Sequence, residues 1–362
     1  MRVAIVHDYL TQRGGAERVV LSMRKAFPEA PIYTSVFNPD ETFPEFADAD
    51  VRPSPLNSIK AFRNHPPRAL PLLAPLFSRM RVDADVVLCS SSGWAHGCHT
   101  SGHKVVYCHN PARWLYQGRD YLGDAPRPLA TTGLLLLRRP LTQWDKRAAA
   151  SAAVYLTQSR IVQSRIAAAY GRVAALLPAP AGLDAAGAQT PVRSIEPGYL
   201  LCVARLLPYK NVDKVVEAFR LFDHRLVVVG EGPERARLQE RATPNVVFLG
   251  SVEDAQLRWL YANAVGLVAA SYEDYGLTPL EALSFARPTA ALRFGGFLDT
   301  VRDGETGVFF DRPTPPEIAA AVTSVVERHW DPSVLLAAEA PFREEFFVKR
   351  LREIVDEVVA NG

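Results

Sequence analysis

The sequence has no long apolar run, few cysteines and almost no net charge. The leucines at Leu134–Leu137 fall far short of the roughly 20 apolar residues that a membrane-spanning helix needs, and the apolar run after Met1 is too short for a secretory signal peptide. The 4 cysteines show no C-x-x-C pairing, so we expect buried free thiols in a reducing cytoplasm and no zinc site. No block of like charge suggests nucleic acid as a partner.

The net charge of +2 hides a difference between the two halves of the chain. Residues 1–190 carry 22 Lys and Arg against 14 Asp and Glu, a balance of +8, whereas residues 191–362 carry 19 against 25, a balance of −6. A chain of 362 residues exceeds the usual size of one core. We therefore predict two domains with different partners.

Short β-like runs alternate with helical runs in both halves, which is typical of parallel α/β layers. The predicted strands of the first half are Arg2–His7, Pro31–Val36, Asp85–Ser90, Lys104–His109 and Ala153–Thr157. Those of the second half are Tyr199–Ala204, Arg225–Val229, Val246–Leu249, Val265–Ala270 and Pro288–Leu292. The predicted helices are Ala16–Phe27, Ile161–Tyr170, Val212–Phe222, Glu234–Arg241, Asp254–Asn263, Pro279–Phe285, Ile318–His329 and Phe342–Val359. The fold class is therefore α/β, with two Rossmann-like domains whose ligands lie beyond the strand ends.

Two segments depart from this alternation. Residues 60–81 are rich in Pro, Leu and Arg and predict either an irregular helix pair or a surface that meets a partner. Residues 179–197 are rich in Ala, Gly and Pro and predict an interdomain linker.

A loop with two adjacent glycines follows the first predicted strand. Gly14 and Gly15 would let the backbone approach an anion at the start of a helix, although a tight turn explains them equally well. The fingerprint G-x-G-x-x-G is not met at Gly230 and Gly232, because Arg235 stands where the third glycine belongs. The sequence therefore argues against NAD.

Two cations follow the first strand of the second half. Arg205 and Lys210 lie in one loop, where both could reach a single diphosphate, Arg with two donors and Lys as a point charge. A solvated loop explains the same residues.

The stretch from Glu273 to Glu281 leaves a strand, turns at Gly276 and is expected to begin a helix at Pro279. The two carboxylates suit the hydroxyls of one sugar-like ligand, and the free N–H groups over Leu277–Leu280 suit a phosphate. Glu281 is also explained as a favourable charge in the first helical turn.

His109 ends a predicted strand and could bond a sugar hydroxyl or the reacting centre, although a structural role also explains a lone histidine. Two D-x-D strings, Asp48–Asp50 and Asp83–Asp85, are short and common, so we predict no metal ligand.

Together and in order, these motifs resemble the retaining GT-B glycosyltransferases of the large family 4, which includes bacterial mannosyltransferases and sucrose synthase. The resemblance spans nearly the whole chain and is carried by Gly14-Gly15-Ala16-Glu17, His109-Asn110-Pro111, Arg205 to Asn211, Gly230-Glu231-Gly232-Pro233 and the pair Glu273 and Glu281. His7-Asp8-Tyr9-Leu10 is similar to the branch linked to GDP-mannose and cell-surface polysaccharide assembly.

The resemblance implies a role for each motif. Arg205 and Lys210 would neutralise the donor diphosphate, Glu273 would bond the donor sugar, and Glu281 the ribose. His109 would contact the sugar near its anomeric centre. The other implied donor-binding residues are Gly14, Gly15, Ser251, Val252, Gly276, Leu277, Thr278 and Leu280. Arg113 and Trp114 are candidates for the acceptor side.

The implied activity is a metal-independent, cofactor-free retaining transfer of a hexose, first of all mannose from GDP-mannose, to a glycan or lipid-linked acceptor. The acceptor domain would be 1–190 and the donor domain 191–340, facing each other across a cleft, with a final helix over 341–362 that crosses back onto the first domain. The alternatives are a transferase that uses a UDP- or TDP-sugar, a nucleotide-sugar epimerase of this fold, and a non-catalytic nucleotide-sugar-binding protein.

The basic stretch 60–81 carries Arg63, Arg68, Arg79 and Arg81. It fits an anionic lipid-linked acceptor or the inner face of a membrane, and an ordinary basic surface fits it as well.

Overall fold

The chain divides into two units in a computed structural model, which describes residues 1–117 and 128–361. The N-terminal unit comprises Met1–Pro180 and Glu344–Gly362, and the C-terminal unit comprises Ala181–Arg343. Leu183 and Ile195, which lie in the sequence-predicted linker, are buried in the core of the C-terminal unit. The division therefore falls at 180/181, ten residues before the predicted 190/191.

The N-terminal unit is built on a parallel sheet of seven strands in the order β3-β2-β1-β4-β5-β6-β7. These strands are β1 Val3–His7, β2 Ile32–Thr34, β3 Val51–Pro53, β4 Val86–Ser91, β5 His103–Cys108, β6 Val154–Thr157 and β7 Ala174–Leu176. Every residue of β4 is buried, because helices cover both faces of a parallel sheet. Its helices are α1 Gly15–Ala26, α2 Lys60–Asn64, α3 Leu70–Arg79, α4 Arg113–Tyr116, α5 Pro128–Ala150, α6 Arg160–Tyr170 and the final helix Glu344–Ala360.

The C-terminal unit has a parallel sheet of six strands in the order β10-β9-β8-β11-β12-β13. These strands are β8 Tyr199–Val203, β9 Leu226–Val229, β10 Val246–Gly250, β11 Ala264–Ala269, β12 Thr289–Leu292 and β13 Gly307–Phe310. Its helices are α7 Val212–Ala218, α8 Arg235–Arg241, α9 Asp254–Asn263, α10 Leu277–Ser284, α11 Phe297–Thr300, α12 Pro315–Glu327 and α13 Pro332–Glu339, so the final helix is α14.

The predicted α/β class with two Rossmann-like domains is confirmed. In each sheet the first strand in the chain pairs with both the second and the fourth, β1 with β2 and β4, and β8 with β9 and β11. Successive strands are therefore added first on one side of β1 or β8 and then on the other. The strand order reverses between β1 and β4 in one sheet and between β8 and β11 in the other. Loops that leave such a switch point are where this kind of sheet binds ligands.

The final helix α14 belongs to the N-terminal unit and packs along α1. Glu344 accepts a hydrogen bond from Ser22 at 2.8 Å and pairs with Lys25, and Arg352 donates to the carbonyl of Ala26 at 2.8 Å. The ring of Phe347 meets that of Tyr107 edge-on at 5.8 Å.

Residues 60–81 form α2, a 3-10 turn and α3. One side of α3 is buried through Leu73, Ala74 and Phe77, while Leu70 and Leu72 stay exposed. No described helix is both long and apolar enough to cross a bilayer. The predicted free, buried thiols are confirmed at all four cysteines, Cys89, Cys98, Cys108 and Cys202.

Candidate functional site

The loops that leave β8 and β11 bring together two of the sequence-predicted residues. Lys210, whose side chain is 11% exposed, forms an ion pair with Glu273, whose side chain is 26% exposed. Because the two strands are neighbours at the switch point, residues 63 positions apart meet directly. The site therefore holds a cation and an anion that neutralise each other while remaining reachable from solvent.

Two backbone contacts fix the loop that carries Lys210. Asn211 has a left-handed backbone (φ 53°), which asparagine tolerates better than most residues, and its amide donates to the carbonyl of Ala270 at 2.8 Å. The N–H of Tyr272 donates to the carbonyl of Tyr209 at 3.3 Å. Asn211 thus locks the loop after β8 to the end of β11, a role that the sequence motif alone did not reveal.

Arg205 lies at the exposed start of the same loop. Its guanidinium donates to the Tyr209 hydroxyl at 3.4 Å, and Lys210 Nζ lies 4.9 Å from the centre of the Tyr209 ring. Within residues 1–117 and 128–361, no carboxylate pairs with Arg205. One tyrosine therefore connects the two predicted diphosphate-binding cations.

The turn after Glu273 ends at Gly276, which caps α10 with φ 86°. A Cβ at this position would lie 2.5 Å from the Phe297 ring, so both the backbone angle and the packing require glycine. The helix begins at Leu277, so the predicted start at Pro279 is wrong. Proline fits the third helical position because the first turn of a helix has no intrahelical partner for its N–H groups.

This earlier start moves Glu281 out of the first turn, so its interpretation as a first-turn charge is also wrong. Its carboxylate accepts a hydrogen bond of 2.8 Å from the hydroxyl of the buried Tyr261. The Leu280 side chain is fully buried, whereas Leu277 and Thr278 are half-buried at the start of the helix. The Leu280 side chain is therefore not available to a ligand.

The remaining predicted residues of this unit lie further along the sheet. Ser251 is exposed and Val252 half-buried after β10, which is separated from β8 by β9. Gly230 and Gly232 hold the adjoining loop close to the one after β8, because a Cβ on either would lie within 2.3 Å of the carbonyl oxygen of Ala204 or Leu206. The two glycines thus lie in a tightly packed strand-to-helix turn between β9 and α8.

In the N-terminal unit, Gly14 caps α1 and Gly15 is its first residue. A Cβ on Gly14 would lie 2.6 Å from the buried Glu17 carboxylate. The double glycine thus accommodates a buried acid, a neighbour that the sequence analysis did not identify.

His109 follows β5, and its Nε2 lies 2.8 Å from the Ser90 hydroxyl at the end of β4. Its carbonyl accepts from the Gln158 amide at 2.7 Å. Burial and the neighbouring His7 lower the pKa of His109 to about 3, so the imidazole is neutral at pH 7. Sequence reasoning missed Ser90 and His7; the paired register of β1 and β4, which puts them side by side, is a tertiary feature.

The acceptor-side candidates Arg113 and Trp114 are the first two residues of α4. The Trp114 ring stacks on buried Trp94, with centroids 4.7 Å apart and planes inclined by 10°. Both residues are half-buried. Trp114 thus has a packing role in the unit besides any role toward a ligand.

Three of the four carboxylates in the D-x-D strings face arginines. Asp83 and Asp85 pair with Arg2 at 3.2 and 3.7 Å, and Asp50 pairs with Arg52 at 2.6 Å. Surface ion pairs account for these three acids.

Residues 191–334 match the sequence profile of the family described as "Glycosyl transferases group 1". Among curated proteins, the chain is similar to an alpha-1,3/1,6-mannosyltransferase of Dictyostelium discoideum (37% identity; 22% of this chain, 19% of the relative). It is also similar to a glycogen synthase of Thermus thermophilus (32%; 46% and 40%) and to a GDP-mannose-dependent phosphatidylinositol monomannoside mannosyltransferase of Mycolicibacterium smegmatis (30%; 48% and 56%). The matches span from about a fifth to just over half of these relatives.

Among solved structures, HepE of Anabaena in complex with UDP superimposes with a TM-score of 0.70 over 99% of this chain and 100% of its own, at 16% identity. This similarity shows the fold, which is GT-B. Residues 191–334, which carry the Lys210–Glu273 pair, are therefore similar to the group 1 glycosyl transferases, within a chain of the GT-B fold.

Proposed function

We propose that this chain is a glycosyltransferase that binds a nucleotide-sugar donor at the β8/β11 switch point of its C-terminal unit. The observation that carries the proposal is the paired Lys210 and Glu273, with Arg205 beside them and the start of α10 nearby. Cations and helix N–H groups suit a diphosphate, and a carboxylate suits sugar hydroxyls. A donor offers both, so each member of the ion pair would exchange its partner for a group of the donor.

The finer proposal is a retaining, metal-independent transfer of mannose from GDP-mannose. Two of the three curated relatives named above are mannosyltransferases, and one of these two is named as GDP-mannose-dependent. One relative is a glycogen synthase, and the structural neighbour is a complex with UDP. A UDP-sugar such as UDP-glucose is therefore the alternative donor to GDP-mannose. Fixed cations would stabilise the leaving diphosphate, which is where negative charge develops during transfer.

The test is calorimetric titration of the full chain with GDP, UDP, TDP and ADP, each with and without EDTA. We expect one nucleoside diphosphate to bind at least about tenfold more tightly than the others, and EDTA to leave its affinity unchanged. Arg205→Ala should weaken that binding, whereas Arg220→Ala, on the surface of the same unit, should not. If no diphosphate binds, or if binding needs metal, the proposed site is wrong.

Incubation with GDP-mannose and with UDP-glucose, with no acceptor present, separates the alternatives. An epimerase converts the sugar nucleotide without an acceptor, and a non-catalytic binding protein leaves it unchanged with or without one. A transferase releases product at its full rate only when an acceptor is added.

We further propose that the acceptor is anionic or lies at a membrane surface. Support comes from the balance of +8 over residues 1–190 and from the segment 68–79, in which Leu70 and Leu72 are exposed and so are Arg68 and Arg79. Apolar side chains flanked by cations suit an anionic interface. Flotation with anionic and neutral vesicles tests this, and equal binding to both would count against it.

A further inference from the structure

Four polar side chains at the β1/β4 switch point of the N-terminal unit form one continuous chain of contacts. Glu17 Oε1 lies 3.7 Å from His7 Nε2, His7 Nδ1 lies 3.0 Å from Ser90 Oγ, and Ser90 Oγ lies 2.8 Å from His109 Nε2. Glu17, His7 and Ser90 are each at most 2% exposed. The two contacts of Ser90 are at hydrogen-bond distance and the contact of Glu17 with His7 is at ion-pair distance; each hydrogen bond has a definite direction, because its proton is given by one partner and accepted by the other.

The backbone sets that direction at His7. Its Nδ1 also lies 3.1 Å from the carbonyl oxygen of Ser90, and a carbonyl only accepts, so Nδ1 carries a hydrogen. The Glu17 carboxylate faces Nε2, which calls for a hydrogen on that nitrogen too. Burial is the largest single influence and lowers the pKa of His7, but Glu17, Asp8 and the Ser90 carbonyl together raise the pKa overall, which favours the doubly protonated ring.

Protonation of His7 Nδ1 decides, through the Ser90 hydroxyl, which nitrogen of His109 carries a hydrogen. The Ser90 hydroxyl accepts from the Nδ1–H of His7. Within residues 1–117 and 128–361, the one other hydrogen-bonding group beside this buried hydroxyl is His109 Nε2, so the hydroxyl donates its own hydrogen there. A neutral imidazole that accepts at Nε2 carries its single hydrogen on Nδ1. Within residues 1–117 and 128–361, no group bonds to His109 Nδ1, so this donor is available to a ligand.

We propose that Glu17, His7 and Ser90 are positioning residues that hold His109 as the neutral Nδ1–H tautomer. This deepens the proposed glycosyltransferase function and rests on it. The ring then offers a hydrogen-bond donor to an oxygen of the substrate, and it does not take a proton from the incoming hydroxyl.

The test is nitrogen NMR of the full chain labelled with ring-¹⁵N histidine, without any ligand, with the His109 signals assigned from His109→Gln. We expect a protonated Nδ1 and an unprotonated Nε2. Ser90→Ala should move the hydrogen to Nε2 in a large fraction of molecules, because Nε2–H is the form that free histidine favours. Ser91→Ala is the matched control: its hydroxyl lies 2.9 Å from His96, so it should leave His109 unchanged.

A second variant tests the far end of the chain. Glu17→Gln removes the charge opposite His7, and we expect the His7 ring to change from doubly to singly protonated at pH 7. The proposal is overturned if wild-type His109 is the Nε2–H tautomer, if Ser90→Ala leaves its nitrogen shifts unchanged, or if His7 has the same charge in Glu17→Gln. Tm and near-UV circular dichroism identify any variant that fails to fold, and Ser90→Cys then replaces Ser90→Ala.

Kinetic measurements distinguish a failure of this proposal from a failure of the proposed glycosyltransferase function. In Ser90→Ala we expect kcat to fall by about three- to tenfold, because that factor corresponds to the net free energy of one neutral hydrogen bond. We expect little change in the KM for the donor. The NMR result needs no donor. If the tautomer is as expected but no sugar is transferred, the proposed function fails while the positioning chain stands.

Discussion

The two units share one topology and use it in opposite ways. In both, the first and fourth strands of a parallel sheet lie side by side and their loops meet. The N-terminal unit fills this place with buried side chains that contact one another, His7, Ser90 and Glu17. The C-terminal unit has there a partly exposed ion pair, Lys210 and Glu273, and an exposed Arg205.

The difference concerns what each arrangement can give to a ligand. A buried chain of polar side chains presents no charge to solvent, and it can fix the orientation and protonation of the group at its end. A partly exposed ion pair can exchange partners, because both side chains are reachable from solvent. The N-terminal unit therefore suits orientation, and the C-terminal unit suits electrostatic binding.

The largest expected effect tests the electrostatic side of this comparison. Lys210→Ala should reduce kcat/KM for the donor by about 10²- to 10³-fold, as for the loss of one preorganised group that stabilises developing charge. Lys214→Ala is the matched control: it lies on α7 and pairs with Asp213 and Glu217 on the surface. Steady-state kinetics check both, and equal losses in the two variants would show that general charge is what matters.

The next effect concerns the turn that positions α10. Gly276→Ala should destabilise the C-terminal unit by about 3 kcal/mol, because the left-handed backbone and the Phe297 ring both oppose a Cβ. Gly198→Ala has a similar backbone (φ 93°) but open space around its Cβ, so it should cost only about 1 kcal/mol. Urea unfolding measures both, and equal costs would remove packing from the explanation.

The smallest effect tests the buried side of the comparison through pH. His109 has its pKa lowered to about 3 by burial and by His7, whereas an unperturbed histidine titrates near 6.5. Between these values the unfolded chain binds a proton that the folded chain does not. The stabilisation is therefore complete above pH 6.5 and is lost as pH falls.

Replacing His109 by Gln should reduce the loss of unfolding free energy between pH 6 and pH 5 by about 1 kcal/mol. His329→Gln, at an exposed position of the C-terminal unit, is the control and should follow the wild-type curve. Urea unfolding at a series of pH values checks this. A wild-type slope in His109→Gln would show that the folded ring takes up protons freely.

Short apolar runs in the sequence were enough to predict most of the central strands. Asp254–Asn263 is a helix with the predicted bounds, and Val246–Leu249 is a strand within one residue. The sequence analysis missed Val51–Pro53, Ala174–Leu176 and Gly307–Phe310. All three are strands of three or four residues at or next to the edge of a sheet, where pairing with a neighbour rather than local pattern decides the conformation.

The candidate site shows the same limit. Motif spacing singled out Lys210 and Glu273, and the fold brings them together. The partners of Glu281 and His109, Tyr261 and Ser90, were not predicted, because each comes from a different strand or helix and has no motif of its own. Residue types that favour a ligand can be recognised locally, whereas what holds them in place depends on tertiary pairing.

The attachment of α14 to α1 has a consequence for the order in which the protein is made. The chain leaves the N-terminal unit after residue 180 and returns to it at residue 344, so the C-terminal unit is an insertion in the first. On the ribosome, residues 181–343 are all synthesised before Phe347 can reach Tyr107 or Arg352 can reach Ala26. The unit that begins first is thus completed last, and the inserted unit can mature while its host still waits for its final helix.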